Sequence, residues 1–142
     1  MAIQISVFIE NKEGRIKKAI DTLARANINI RALSIADTSK YGILRLIVSD
    51  NKTAIKALKD EKFTVKETDV IVVGIKDEPN GLNTMLEILE KEGINVEYIY
   101  AFVSSKTDEA IVVVKIENYE DGLKALENAG ANLLTEEDLS EL

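Results

Sequence analysis

The stretch Ile3–Ile30, IQISVFIENKEGRIKKAIDTLARANINI, has a counterpart 66 residues further on in Asp69–Val96, DVIVVGIKDEPNGLNTMLEILEKEGINV. Ile5, Val7 and Ile9 fall on Ile71, Val73 and Ile75. Ile16, Ala19, Ile20 and Leu23 fall on Leu82, Met85, Leu86 and Leu89, and Asn27-Ile28-Asn29-Ile30 falls on Gly93-Ile94-Asn95-Val96. A pattern recurring at fixed spacing marks a duplicated structural unit. Adding one residue to the shift puts Asn51 on Asn118, each read as the start of a helix. The added residue is assigned to the turn between the second and third strands, where insertions cost little.

Each copy reads as strand, helix, strand, strand, helix, strand. Ile3–Glu10 alternates, with apolar residues at the odd positions, as a half-buried strand does. Asn11-Lys12-Glu13-Gly14 is turn chemistry. Ile16, Ala19, Ile20 and Leu23 give the i, i+3, i+4, i+7 face of an amphipathic helix. Ile30–Asp37 is a second strand, Thr38–Gly42 a turn and Ile43–Ser49 a third strand. Asn51 is expected to cap a short helix carrying Ile55 and Leu58, and Phe63–Thr68 is the fourth strand. The second copy repeats the order: Val70–Lys76, Asn80–Glu92, Asn95–Val103, Glu109–Ile116, Asn118–Ala129 and a short strand near Leu133. Thr135-Glu136-Glu137-Asp138 has the form of a capping box, which predicts a terminal helical turn.

The expected fold class is therefore α+β: two ferredoxin-like βαββαβ units, each an antiparallel sheet with both helices on one face. The domains are read as residues 1–68 and 69–142. Ile5, Val7 and Ile9 are expected to face the helices, with Gln4, Ser6 and Glu10 on an open face and Phe8 an apolar exception there. Thr64–Lys76 has no Pro and one Gly, so the last strand of the first unit should run directly into the first strand of the second. That favours rigidly apposed units over a flexible tether.

Composition narrows the function. The 142 residues carry 18 Lys+Arg against 25 Asp+Glu, net −7, a poor footprint for a phosphate backbone. Neither Cys nor His occurs, which excludes disulfides, thiol nucleophiles, Cys/His zinc sites and an imidazole base. No apolar run approaches the roughly 18–20 residues that span a bilayer, and Met-Ala-Ile-Gln-Ile does not resemble a signal peptide. A soluble, cytoplasmic protein is expected. The halves differ in charge: residues 1–68 hold 13 Lys+Arg and 8 Asp+Glu, net +5, whereas residues 69–142 hold 5 and 17, net −12. This is either drift between solvated surfaces or complementarity between units.

The candidate sites are the strand-to-helix turns Asn11-Lys12-Glu13-Gly14-Arg15-Ile16 and Asp77-Glu78-Pro79-Asn80-Gly81-Leu82. Glycine at such a turn permits positive φ and close approach of a ligand. The helix start beyond it offers free N–H groups and partial positive charge, which suit a carboxylate. Asn11 or Asp77 is placed to hold an ammonium or amide. Alternatively, each turn is a helix start that satisfies only itself.

These turns, the amphipathic helix after each, and Asn27-Ile28-Asn29-Ile30 and Gly93-Ile94-Asn95-Val96 at the helix-to-strand junctions resemble ACT domains, twice in register. The resemblance covers nearly the whole chain and implies a small tandem ACT protein, a regulatory module that binds amino acids or other small metabolites. It implies a ligand lying between paired domains, against the first turn of one and the second strand of its neighbour. Carried over residue by residue, this points to Asn11, Gly14, Arg15, Ile16 and Asn29 in the first copy, and to Asp77, Asn80, Gly81, Leu82 and Asn95 in the second. Glu13 stands where the family usually has Pro. In the second copy Gly81 follows Asn80 instead of following Pro79 directly, which puts that loop one residue out of pattern. Asn29 and Asn95 have a local alternative, since Asn tolerates left-handed geometry and bonds backbone at a helix-to-strand turn.

Tyr98, Tyr100 and Phe102 alternate and so share one face of their strand; Ala32, Ser34 and Ala36 occupy the matching positions in the first copy. Leu33, Ile35, Ile99 and Ala101 are then expected on the buried face and the aromatic stripe on the other, largely buried against a sheet face or a partner subunit in a homodimer. An RNA-binding ferredoxin-like domain would instead carry aromatics on its first and third strands beside basic residues. The glycine signatures GxGxxG and GxxxxGK[ST] are absent, no nucleophile–base pair is recognisable, and no cofactor or metal is expected. The leading expectation is a non-catalytic sensor of a small amino acid, with a regulated enzyme or other protein as partner and neither nucleic acid nor membrane. The alternative is a structural or protein-interaction module without a metabolite ligand. A ferredoxin-like acyl-phosphate hydrolase has little support.

Overall fold

The computed structural model of the chain describes residues 2–37, 40–104 and 108–142; Thr38 and Ser39 of the expected Thr38–Gly42 turn lie outside them. The chain divides into two compact units, Ile3–Thr68, and Asp69–Leu142 together with Ala2. The first unit holds β1 (Ala2–Glu10), α1 (Arg15–Arg25), β2 (Ile30–Asp37), β3 (Tyr41–Val48), α2 (Asn51–Asp60) and the start of β4 (Thr64–Lys76). The second holds the rest of β4, then α3 (Gly81–Lys91), β5 (Val96–Val103), β6 (Glu109–Ile116), α4 (Tyr119–Asn128), β7 (Asn132–Leu134) and α5 (Glu136–Ser140). The two strands expected in succession at the boundary are thus one strand, β4.

Strand order is the same in both units: β2-β3-β1-β4 in the first and β5-β6-β4-β7 in the second. Pairing of β3 with β1 and β2 is antiparallel, as is that of β6 with β4 and β5 and of β7 with β4. The expected βαββαβ order is present twice. One face of each sheet is covered by two helices. In the first unit Ile5, Val7, Ile9, Leu44, Leu46 and Val48 pack with Ala19 and Leu23 of α1 and Ala54 and Leu58 of α2. In the second, Ile71, Val73, Val112 and Val114 pack with Met85 and Leu89 of α3 and Leu126 of α4. The odd residues of β1 therefore face the helices as their alternation predicts.

Four expectations are corrected. First, the insertion between the copies is two residues: Ile5 pairs with Leu46 and Ile71 with Val114, a shift of 68 on β3 against 66 on β1. A turn has no periodicity that would keep a sequence alignment in step. Second, and as a consequence, α2 is capped by Asp50, whose carboxylate accepts from the Thr53 N–H at 3.2 Å, and not by Asn51. Asn118 does cap α4, accepting from the Asp121 N–H at 3.2 Å. Third, Gln4 and Ser6 are buried, linked by a 3.0 Å bond from the Gln4 amide to the Ser6 hydroxyl, while Phe8 is 44% exposed. Fourth, Leu33 and Ile35 are 50% and 43% exposed, Ile99 37%, and Ala101 is exposed too, whereas Ala32 is buried. Leu33, Ile35 and Ile99 do lie on the helix side, opposite Leu46, Leu44 and Val114. They sit on edge strands, however, and the buried strand residues under the helices come from the inner strands.

The expected capping box at Thr135 is complete. The Thr135 hydroxyl accepts from the Asp138 N–H at 3.2 Å, and the Asp138 carboxylate accepts from the Thr135 N–H at 2.8 Å. The N–H and the hydroxyl of Thr135, both donating to the Asp138 carboxylate, hold it below its ordinary value of 3.8, and the hydroxyl and N–H of Thr53 do the same for Asp50. A carboxyl depressed in the folded state adds stability above its unfolded pKa and loses it as pH falls through the lower folded value. The caps of α2 and α5 are therefore expected to hold from neutral pH down to about 4 and to weaken below it. Amide exchange at Thr53 and Asp138 measured across that range checks this; protection that stays flat to pH 2 contradicts it.

Candidate functional site

At the end of β1 the chain reverses through Asn11–Gly14. The Asn11 N–H donates to the Lys40 carbonyl at 2.9 Å and the Lys12 N–H to the Glu10 carbonyl at 2.9 Å. Gly14, with φ at +85°, then turns the chain into α1, and no side chain caps that helix. A Cβ built on Gly14 meets no atom within 4 Å. Glycine is required here by the left-handed conformation, while the space beside it is open.

Beside the turn lies a small cleft of about 50 Å³. Its floor is apolar: Ile9 and Leu44 from the core, Gly42 opposite Ile9 on the ladder, and the exposed Ile16 and Ile35 at its mouth. Glu10, Asn11 and Lys12 line its polar edge, with the Lys12 ammonium 3.1 Å from the Glu10 carboxylate. The Asn11 side chain makes no hydrogen bond among the described residues. An amide, a carboxylate, an ammonium and an uncapped helix start thus surround a small apolar hollow. That set matches a zwitterion with a short apolar side chain.

The remaining first-unit candidates stand elsewhere. The Arg15 guanidinium lies 5.1 Å from the centroid of the Phe63 ring. Asn29 is at the other end of β2: its N–H donates to the Ser49 hydroxyl at 3.0 Å and its carbonyl accepts from the Ser49 N–H at 2.9 Å. Ile35 lies six positions further along the chain, roughly 20 Å at about 3.3 Å per residue. Left-handed geometry at this junction belongs to Asn27 and Gly93, with φ of 59° and 67°, and not to Asn29 or Asn95. Ile9, Glu10, Ile35, Gly42 and Leu44 were not among the expected site residues. Ile35 was assigned to a covered face, and no local pattern announces that a strand is an edge.

The second turn is built differently. Asn80, equivalent to Gly14, has φ at −96°. Its amide oxygen accepts from the Asn83 amide at 3.2 Å, and its nitrogen donates to the Thr84 hydroxyl at 3.3 Å, so this side chain is tied into the first turn of α3. Gly81 is needed because a Cβ there would overlap the Lys76 carbonyl oxygen. Asp77 is exposed and Leu82 is 41% exposed. The Asn95 carbonyl accepts from the Glu117 N–H at 3.2 Å, in a groove edged by Glu92, Glu117, Glu120 and Asp121. Tyr98, Tyr100 and Phe102 lie on one face of β5, opposite Lys115, Val113 and Ile111, and are half-buried. Among the described residues, no three Asp or Glu side chains are arranged to hold a metal ion, and no helix is long and apolar enough to cross a membrane.

Comparison with known proteins adds the following. A family described as "ACT domain pair" matches residues 1–142. No curated protein sequence matches the chain. Among solved structures, it is 40% identical to protein BT0572 from Bacteroides thetaiotaomicron over 99% of this chain and 96% of that one, with a TM-score of 0.93. The regulatory subunits of aspartate kinase from Thermus thermophilus and Thermus flavus share the fold. They are 20% and 21% identical, each with a TM-score of 0.60, over 89% and 90% of this chain and 91% and 92% of theirs.

Proposed function

The chain belongs to the ACT domain pair family, and on that premise we propose that it is a non-catalytic regulatory protein that binds a small amino acid where one ACT-like unit meets another. The cleft beside Asn11 and Ile16 is the observation that carries this reading. Its polar edge fits the charged ends of an amino acid and its floor a short apolar side chain. Asn29 stands roughly 20 Å away along the same unit, so a ligand touching both kinds of residue must bridge two units. We assign the second unit to a partner copy in a homodimer. Of the two turns in each chain, the first is the better site, because Asn80 in the second is already engaged by Asn83 and Thr84.

A ligand held by two units favours the arrangement in which they are joined, and a partner enzyme or other protein reads that arrangement. Thermal melting of the protein against the twenty amino acids tests the reading. A true ligand at about 100 times its dissociation constant adds roughly 2.7 kcal/mol, and none of the panel is turned over. Flat curves throughout, or a product formed from any of them, overturn the sensor. The exposed Leu33, Ile35 and Tyr41 favour a second reading, a protein-interaction module without metabolite. A chain that dimerises yet gives flat curves selects it.

The half-buried stripe of Tyr98, Tyr100 and Phe102 is assigned to a contact surface of the assembly. Fully burying a large apolar side chain contributes about 1.5–3 kcal/mol. Changing Tyr100 and Phe102 together to Ser is therefore expected to convert dimer to monomer in light scattering; a wild type that is already monomeric refutes the assignment.

A further inference from the structure

The two units close the same place differently. In the first, the space between α1 and the start of β4 is filled by Phe63, 5% exposed, with the Arg15 guanidinium over its ring. The equivalent positions in the second unit, by the shifts of 68 and 66 that its ladders define, are Ala131 and Gly81. With the ring and the long side chain both missing, a cleft of about 400 Å³ opens beside α3. Pockets for small molecules are of this size, with an apolar lining and a few placed polar groups. Met85, Ile88 and Ile75 supply the apolar part, and Glu78, Glu109 and Lys76 stand at the polar margin. The Glu109 carboxylate is positioned by the Asn132 amide, which donates to it at 2.9 Å. Residues 69–142 as a whole carry 5 basic against 17 acidic side chains.

We propose that this cleft is a second binding site, for a small organic cation: a primary amine on a compact apolar body. The apolar body replaces the missing Phe63-type ring against Met85 and Ile88, and the ammonium takes the place of the missing Arg15-type cation, facing Glu78 and Glu109. An anion of the same shape meets two carboxylates and is rejected. The site uses neither Asn11 nor Gly14, so it stands or falls independently of the amino-acid site in the first unit.

The test is a titration of the full-length, nitrogen-15-labelled protein with 2-phenylethylamine, with phenylacetate and 2-phenylethanol as matched anion and neutral. The amine is expected to move the Gly81, Gly130 and Ala131 amides saturably, and phenylacetate to leave them unmoved. Ala131→Phe, which copies the first unit's own plug, should weaken the amine at least tenfold. Combined Glu78→Gln and Glu109→Gln should bring the amine down to the affinity of the alcohol. Should Ala131→Phe misfold, the preference of the wild-type protein for amine over acid at those three amides decides alone. Amides that do not respond to the amine, equal responses to amine and acid, or undiminished binding in a folded Ala131→Phe protein overturn the proposal.

Discussion

Gly14→Val is expected to abolish amino-acid binding while the first unit stays folded. Gly14 is at φ +85°, where a residue with a Cβ is disfavoured by roughly 1–2 kcal/mol and a β-branched one more so. The turn has a cheap escape, since no atom lies within 4 Å of the new Cβ: it can change conformation without disturbing the core. That change moves Asn11 and Lys12 relative to Ile16 and places two methyl groups in the open space beside the turn. Affinity for the amino acid identified by melting should fall at least a hundredfold, about 2.7 kcal/mol. Calorimetry on wild type and variant decides it. Equal affinities would show that the ligand does not use this turn.

The aligned glycine-containing turn responds in the opposite way. Gly81→Ala is expected to destabilise the second unit by about 1–3 kcal/mol, the usual range for an overpacked site. A Cβ at this position runs into the Lys76 carbonyl oxygen, which is backbone and already accepts from the Glu78 N–H at 2.9 Å. Relief requires the Lys76–Gly81 loop to shift as a piece, and the tie between Asn80 and Thr84 with it. Denaturant unfolding should show an earlier midpoint with an unchanged slope. No change in midpoint would mean that the loop yields freely, and the second turn would then be as adaptable as the first.

Local chemistry alone was enough for the framework. Alternation in Ile3–Glu10, the i, i+3, i+4, i+7 face from Ile16 to Leu23, and the recurrence of both 66 residues later specify two βαββαβ units. They also identify Ile5, Val7, Ile9, Ala19 and Leu23 as core, because a period of 2 or 3.6 states which residues share a face. The capping box at Thr135 was legible for the same reason: its two bonds join residues three apart. That Asn11 and Ile16 border one cleft was legible too, since strand end, turn and helix start are consecutive in the chain.

Tertiary structure decided what lies opposite each face. Leu33, Ile35 and Ile99 share the helix side of their sheets yet stay exposed, because strand order puts β2 and β5 at edges and the helices cover the inner strands. Gln4 and Ser6 have the alternation of solvent residues and are buried. Gly14 and Gly81 look like one motif, and one serves a left-handed turn while the other admits a carbonyl. The common cause is physical. A side chain's direction follows from its own backbone and is set within a few residues, whereas what covers it, and how near the next backbone comes, depends on chain far away in sequence.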